Sequence, residues 1–215
     1  MEERILKGVA SIYKLLTQMT QKTKPEKLIY QISSNTTFLK AKANCFGIEQ
    51  VLISFVEFDK DNKLKNSIDC YLSFGEALCL CNDILSGKIH KLITIEKSKG
   101  EKYPAPSYTS PLGGVNEENC KKRKLRTDGK ALSRAFTIGA GTKAEYIIVA
   151  EQRSGVSAPN GIIVPDKGKA EVTIRVPADS KVIKEFALLV QTHINAYISG
   201  QYARNAYSAE NKERE

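Results

Sequence analysis

The densest cluster of cations in this sequence is one short run. Lys121, Lys122, Arg123, Lys124 and Arg126 follow one another with only Leu125 between, and Lys130 and Arg134 come soon after with Asp128 the one acid among them. Such a run can contact several phosphates at once. Each phosphate neutralised releases condensed counterions, so binding of this kind is strong and falls steeply with added salt. Arginine adds a planar group that stacks on bases. The same run can also serve as a solvated loop or as a localisation-type basic stretch.

A second set combines an aromatic ring with two cations. Phe38, Lys40 and Lys42 alternate with Leu39 and Ala41. If the segment is a strand, all three lie on one face of a sheet, because successive side chains point to opposite sides. A ring flanked by cations on a sheet face is what base stacking needs. The competing arrangement packs Phe38 under a helix and leaves the lysines in water. A third set is Lys99, Lys102, Tyr103 and Tyr108, interleaved with Pro104, Pro106 and Pro111 in a long irregular stretch over residues 99–124. Loops of that length usually carry function or lack order. Arg153 and Arg175 are expected to share the outer face of a second sheet, and Lys143 sits in the turn that precedes Glu145.

Catalytic patterns are poorly represented, and no catalytic residue is assigned. Gly139-Ala140-Gly141-Thr142-Lys143 has the wrong spacing for a phosphate-binding Walker loop, and strand-like residues follow it, so it reads as a hairpin turn. Ser107, Ser110 and Ser133 lack a nucleophile-elbow context. His90 and His193 are the only histidines, which leaves little material for acid-base or triad chemistry. Glu117 and Glu118 are adjacent in a loop rather than opposed across a site. Among the cysteines (Cys45, Cys70, Cys79, Cys81 and Cys120) the closest pair is spaced C-x-C, with no histidine nearby. Neither a metal site nor a cofactor is expected. An odd number of cysteines, with no export signal at the start, suits reduced thiols in a cytoplasmic setting.

The elements that must position these residues follow from periodicity. Ile5, Val9, Ile12, Tyr13, Leu16 and Met19 recur at helical spacing, which predicts an amphipathic helix within residues 1–24, ended by Pro25. Strands are expected over 27–33, 36–45, 50–59 and 66–72, with Asp59–Asn62 as a hairpin turn. Ser73 and Glu76 have capping-box spacing and open a helix over 74–86, stopped by Gly87. Four more strands are expected over 91–97, 133–139, 145–153 and 169–176, with residues 154–165 as a loop. A long helix over 181–200 follows, with Val182, Ile183, Phe186, Ala187, Leu189, Val190, Ile194 and Tyr197 as its stripe. Residues 201–215 read as a polar tail.

These elements give an α+β fold: two antiparallel four-stranded sheets, each followed by a helix, plus the N-terminal helix. The expected domain spans residues 25–200, in two units of about 25–88 and 89–200. Net charge is +9, from 33 Lys+Arg against 24 Asp+Glu, which favours a polyanionic partner. No apolar run approaches the roughly 20 residues of a membrane-spanning helix, and no membrane partner is expected.

Two units of four strands and a helix resemble the Whirly-like single-stranded DNA-binding superfamily and the related kinetoplastid guide-RNA-binding proteins. The transcriptional coactivators of that superfamily have one such unit. Lys167-Gly168-Lys169-Ala170 looks like the Lys-Gly-Lys-Ala-Ala stretch of the plant members, with Glu171 in place of the last alanine. In that family the stretch lies early in the chain rather than before the last strand, so no residue is carried over. The resemblance is one of topology and covers roughly residues 27–200. It implies sheets that bind extended single strands and oligomers assembled through the helices. The expected function is binding of single-stranded DNA or RNA with little sequence preference, by a homo-oligomer, in replication or recombination of a phage, plasmid or mobile element. A structural subunit with an acidic partner, or an enzyme whose site assembles only in the fold, remain the alternatives.

Overall fold

The computed structural model describes residues 27–102 and 104–212, with side chains as far as residue 205. The expected N-terminal helix and Tyr103 lie outside the described residues. The first sheet is a meander of β1 (Leu28–Ser33), β2 (Thr37–Lys42), β3 (Gln50–Phe58) and β4 (Leu64–Ser73), paired in that order. Alternation explains it: Leu39, Ala41, Val51, Ile53, Phe55, Ile68, Cys70 and Leu72 all point to one buried side. The β3–β4 turn is the expected one. The Asp59 carboxylate accepts the N–H groups of Asp61 and Lys63, and Asn62 takes a left-handed φ of 58°.

Ser73 then caps α1 (Phe74–Leu85). Its hydroxyl accepts the Glu76 N–H at 3.3 Å, and the Glu76 carboxylate accepts the Ser73 N–H at 2.8 Å. Gly87 turns the chain through a left-handed φ of 76° into α2 (Lys88–Ser98). A strand was expected here from Leu92, Ile93 and Ile95. A short apolar run does not distinguish strand from helix by itself. Ile89 and Ile93, four residues apart, are the ones buried, and Leu92 and Ile95 face solvent.

The second sheet has six strands rather than four. β7 (Ala131–Ala140) and β8 (Tyr146–Ser157) form its centre, with β10 (Val172–Ala178) beside β8. The stretch expected to be irregular supplies β5 (Tyr108–Thr109), β6 (Gly113–Val115) and α3 (Glu117–Lys122), with β5 and β6 both paired to β7. The loop expected over 154–165 is partly strand: β8 runs on to Ser157, and β9 (Ile163–Pro165) folds back on it. β6 lies unusually close to β7. A Cβ on Gly114, at φ 149°, would stand 1.9 Å from the Leu132 carbonyl oxygen, so only glycine fits there. Gly141, Thr142 and Lys143 lie in the expected turn between β7 and β8, while Gly139 and Ala140 end β7.

The inner faces of both sheets share one core with α1 and α4 (Ser180–Lys212). Phe55 and Phe136 meet across it at a ring separation of 5.6 Å. The long last helix buries Ile183, Phe186, Ala187, Val190 and Ile194, close to the expected stripe, although Leu189 faces outward. It does not stop at Gly200 but continues through Lys212. The Tyr30 hydroxyl donates to Glu185 at 2.6 Å and ties β1 to this helix, and burial pushes that phenol up to about 12.

Candidate nucleic-acid interface

The basic run divides into two groups with different roles. Asn116 caps α3 by accepting the Asn119 N–H at 2.9 Å. Glu117 and Glu118 occupy its first turn and Lys121 and Lys122 its last, which suits the helix dipole. The chain leaves at Arg123 and turns at Lys124, at φ 54°. Lys121, Lys122, Arg123 and Lys124 are all exposed, and among the described residues no ion pair engages them. Arg126 and Lys130 are otherwise committed. Arg126 is only 11% exposed and donates to Asp128 and Glu171 together, at 2.5 to 2.9 Å. Lys130 reaches Asp166 at 2.6 Å. Both tie loops of the same chain together, Arg126 at the Asp128 and Glu171 carboxylates and Lys130 at Asp166.

The register puts Phe38, Lys40 and Lys42 on the sheet face opposite the core, as alternation requires. Lys40 aligns with Ser54 and Asp69, and Lys42 with Leu52 and Tyr71. Phe38 is half-buried and meets Phe58 edge-on at 5.6 Å. Tyr71, on the edge strand β4, is the exposed ring of that face at 48%. Its phenol is held above its ordinary value, first by partial burial and then by Asp69, with Arg134 and Arg123 pulling the other way.

The other candidates are scattered. Tyr108 is not a loop aromatic: it pairs with β7 and packs on Phe136 at 5.8 Å, and burial pushes its phenol up to about 12. Lys99 pairs with Glu96, and Lys102 is exposed. Arg153 and Arg175 do share the outer face of the second sheet. Arg153 is held by Glu151 and the Gly168 carbonyl, and Arg175 is exposed. The serines considered as nucleophiles lie in or near the core: Ser133 and Ser110 are buried, and Ser110 accepts the Phe136 N–H. His90 Nδ1 lies 3.1 Å from the Tyr146 hydroxyl, and His193 Nδ1 lies 2.8 Å from the Leu189 carbonyl. Glu117 accepts the Ser157 N–H and hydroxyl, which hold its carboxyl below the usual range. Among the described residues no cluster of His, Cys, Asp or Glu could hold a metal, and no helix is long and apolar enough to cross a membrane.

What the fold creates is a cleft of about 650 Å³ between β4 and the β6–α3 segment. Tyr71 lines it from β4, Asn119 and Arg123 from α3 and its exit, and Arg134 from β7. Arg134 lies on the inner-face row of β7, in register with Gln152, whose Oε1 accepts its Nε–H at 3.1 Å. Arg134 as a residue is half-buried, and among the described residues no ion pair engages it. Two acids also border the cleft, but both are occupied. Asp69 accepts the Ser54 hydroxyl at 2.6 Å, and Glu76 belongs to the α1 cap. Alternation along Ser67, Asp69 and Tyr71 could have marked Tyr71 from sequence. Nothing local could have placed it in one cleft with Arg123.

No family model matches the chain, and no curated protein matches it. Among solved structures, that of the plant transcriptional regulator PBF-2 matches over 83% of this chain and 94% of its own, at 12% identity and a TM-score of 0.41. That is a distant likeness of fold alone.

Proposed function

We propose that this protein binds single-stranded nucleic acid, with the backbone led across the exposed end of α3 and into the cleft beside Tyr71. The observation that carries this reading is Arg134. An arginine drawn partly out of water gains from an anion beside it, because desolvating an unpaired charge is costly. Here Gln152 fixes one nitrogen and leaves the terminal N–H donors for a ligand. A planar fork of donors suits a phosphate. Lys121, Lys122, Arg123 and Lys124 extend the positive surface from the cleft, and Tyr71 offers the ring that an unpaired base can stack on. Lys40 and Lys42 lie on the same sheet face and belong to the proposed path.

A titration with labelled oligo-dT, a matching RNA and a duplex, at two salt concentrations, tests the reading. Unpaired strands should bind more tightly than duplex, with affinity falling as salt rises. No binding to either single strand would sink it. Replacing Lys121, Lys122, Arg123 and Lys124 together by glutamine should weaken binding to every sequence. It should also flatten the plot of log affinity against log salt by up to about 3, at roughly 0.7 for each single-strand phosphate that is no longer neutralised. An unchanged slope would remove α3 from the interface.

A further inference from the structure

We infer that the cleft selects a purine at one position of the bound strand; the inference rests on the strand-binding reading above. Surfaces that hold single strands without preference need only cations and rings. This cleft has an additional feature, since four carboxamide side chains border it: Gln50, Asn116, Asn119 and Asn160. They are brought together from β3, the start of α3 and the turn before β9. Two have their oxygen engaged. Asn116 Oδ1 accepts the Asn119 N–H at 2.9 Å, and Asn160 Oδ1 accepts the Ile162 N–H at 3.2 Å, so each keeps its –NH2 donors for another partner. The side chains of Asn119 and Gln50 make no hydrogen bond among the described residues.

Together with the terminal N–H groups of Arg134, the lining is rich in donors that need acceptors. Phosphate oxygens can meet some of them, but carboxamides do more. They pair with base edges, where donors and acceptors lie side by side. The N7 atom is an outward-facing acceptor that adenine and guanine share and that pyrimidines lack. Pyrimidines expose acceptors of their own but have no such second edge, so N7 is the acceptor by which a lining of carboxamide and guanidinium donors can tell a purine from a pyrimidine. A bicyclic base also covers more of the Tyr71 ring than a monocyclic one, which adds to stacking in the same direction. A volume of about 650 Å³ leaves room for a purine and its sugar.

The test uses the full chain and a short oligo-dT strand with one central position changed in turn to dA, dG, dC or an abasic site. Strands carrying dA or dG should bind roughly tenfold more tightly than those carrying dC or the abasic site. Replacing the central purine by its 7-deaza analogue, which keeps the ring but removes N7, should abolish most of that advantage. Asn119→Ala should narrow the ratio of purine to pyrimidine affinity, with its folding checked by circular dichroism. Equal affinity for every central residue overturns the purine assignment and leaves strand binding intact, as does a pyrimidine preference. A purine preference that survives both 7-deaza substitution and Asn119→Ala overturns the role given to the carboxamides. Failure to bind any of the strands would instead defeat the strand-binding reading itself.

Discussion

Arg126→Ala is expected to lower stability by about 2 kcal/mol, read as a fall in melting temperature of roughly 4–8 °C for a chain of this size. Arg126 makes four hydrogen bonds to two carboxylates, Asp128 close in sequence and Glu171 45 positions away. Its own side chain is 11% exposed, whereas Asp128 and Glu171 are 45% and 40% exposed. A fully buried pair broken on one side would cost more. Solvent around the two acids screens part of the attraction, which brings the figure down. Arg126→Lys keeps the charge but loses the fork that serves both acids, so it should recover only part of the loss. Unchanged melting in both variants would sink the assignment. The pair also fixes a pH dependence. Arg126 holds the Asp128 carboxyl well below the usual carboxylate range. In the unfolded chain that carboxyl titrates near 4. Its contribution is therefore complete above that pH and is lost as pH falls toward the lower folded value. Urea midpoints measured downward from pH 5 should drop for the parent protein and less for Arg126→Ala.

Arg126 also shows where the sequence stops being informative. Arg123, Lys124 and Arg126 stand in one run with the same charge, and nothing local separates them. What divides them is Glu171, brought alongside by the pairing of β10 with β8. Features written in a few adjacent residues were legible: the Ser73–Glu76 cap, the alternation of Phe38 to Lys42, and the Asp59–Asn62 turn. The first sheet and α1 follow from them almost residue by residue. Features decided by distant packing were not. The apolar run 91–97 became a helix because Ile89 and Ile93 found α1 and β7. Tyr108 looked like a mobile ring between prolines, yet β7 offered it a strand partner and Phe136 a surface. The cleft is the extreme case. Tyr71, Arg134, Asn119 and Asn160 come from four separate elements, and no spacing rule connects them.

Arg134→Met is expected to weaken binding without lowering stability. The unbranched methionine keeps much of the arginine stem and removes the guanidinium. If the terminal N–H groups hold a phosphate, their loss should weaken single-strand binding about ten- to a hundredfold, the 1.5–3 kcal/mol typical of hydrogen bonds to charged groups. Arg134→Lys should bind between the two, because a point charge remains but the fork does not. Folding responds differently. Arg134 is half-buried as a residue, with a neutral amide at Nε and no ion pair among the described residues. Removing a charge so placed relieves a desolvation cost and forfeits one hydrogen bond with Gln152, so stability should stay level or rise slightly. A residue kept for the fold would do the reverse, with methionine destabilising the protein while binding changed only in proportion. Oligonucleotide titrations and urea melts on the same three proteins separate these outcomes. Binding unaffected by Arg134→Met would leave the cleft without its anion site, and a large loss of stability would make Arg134 a structural residue instead.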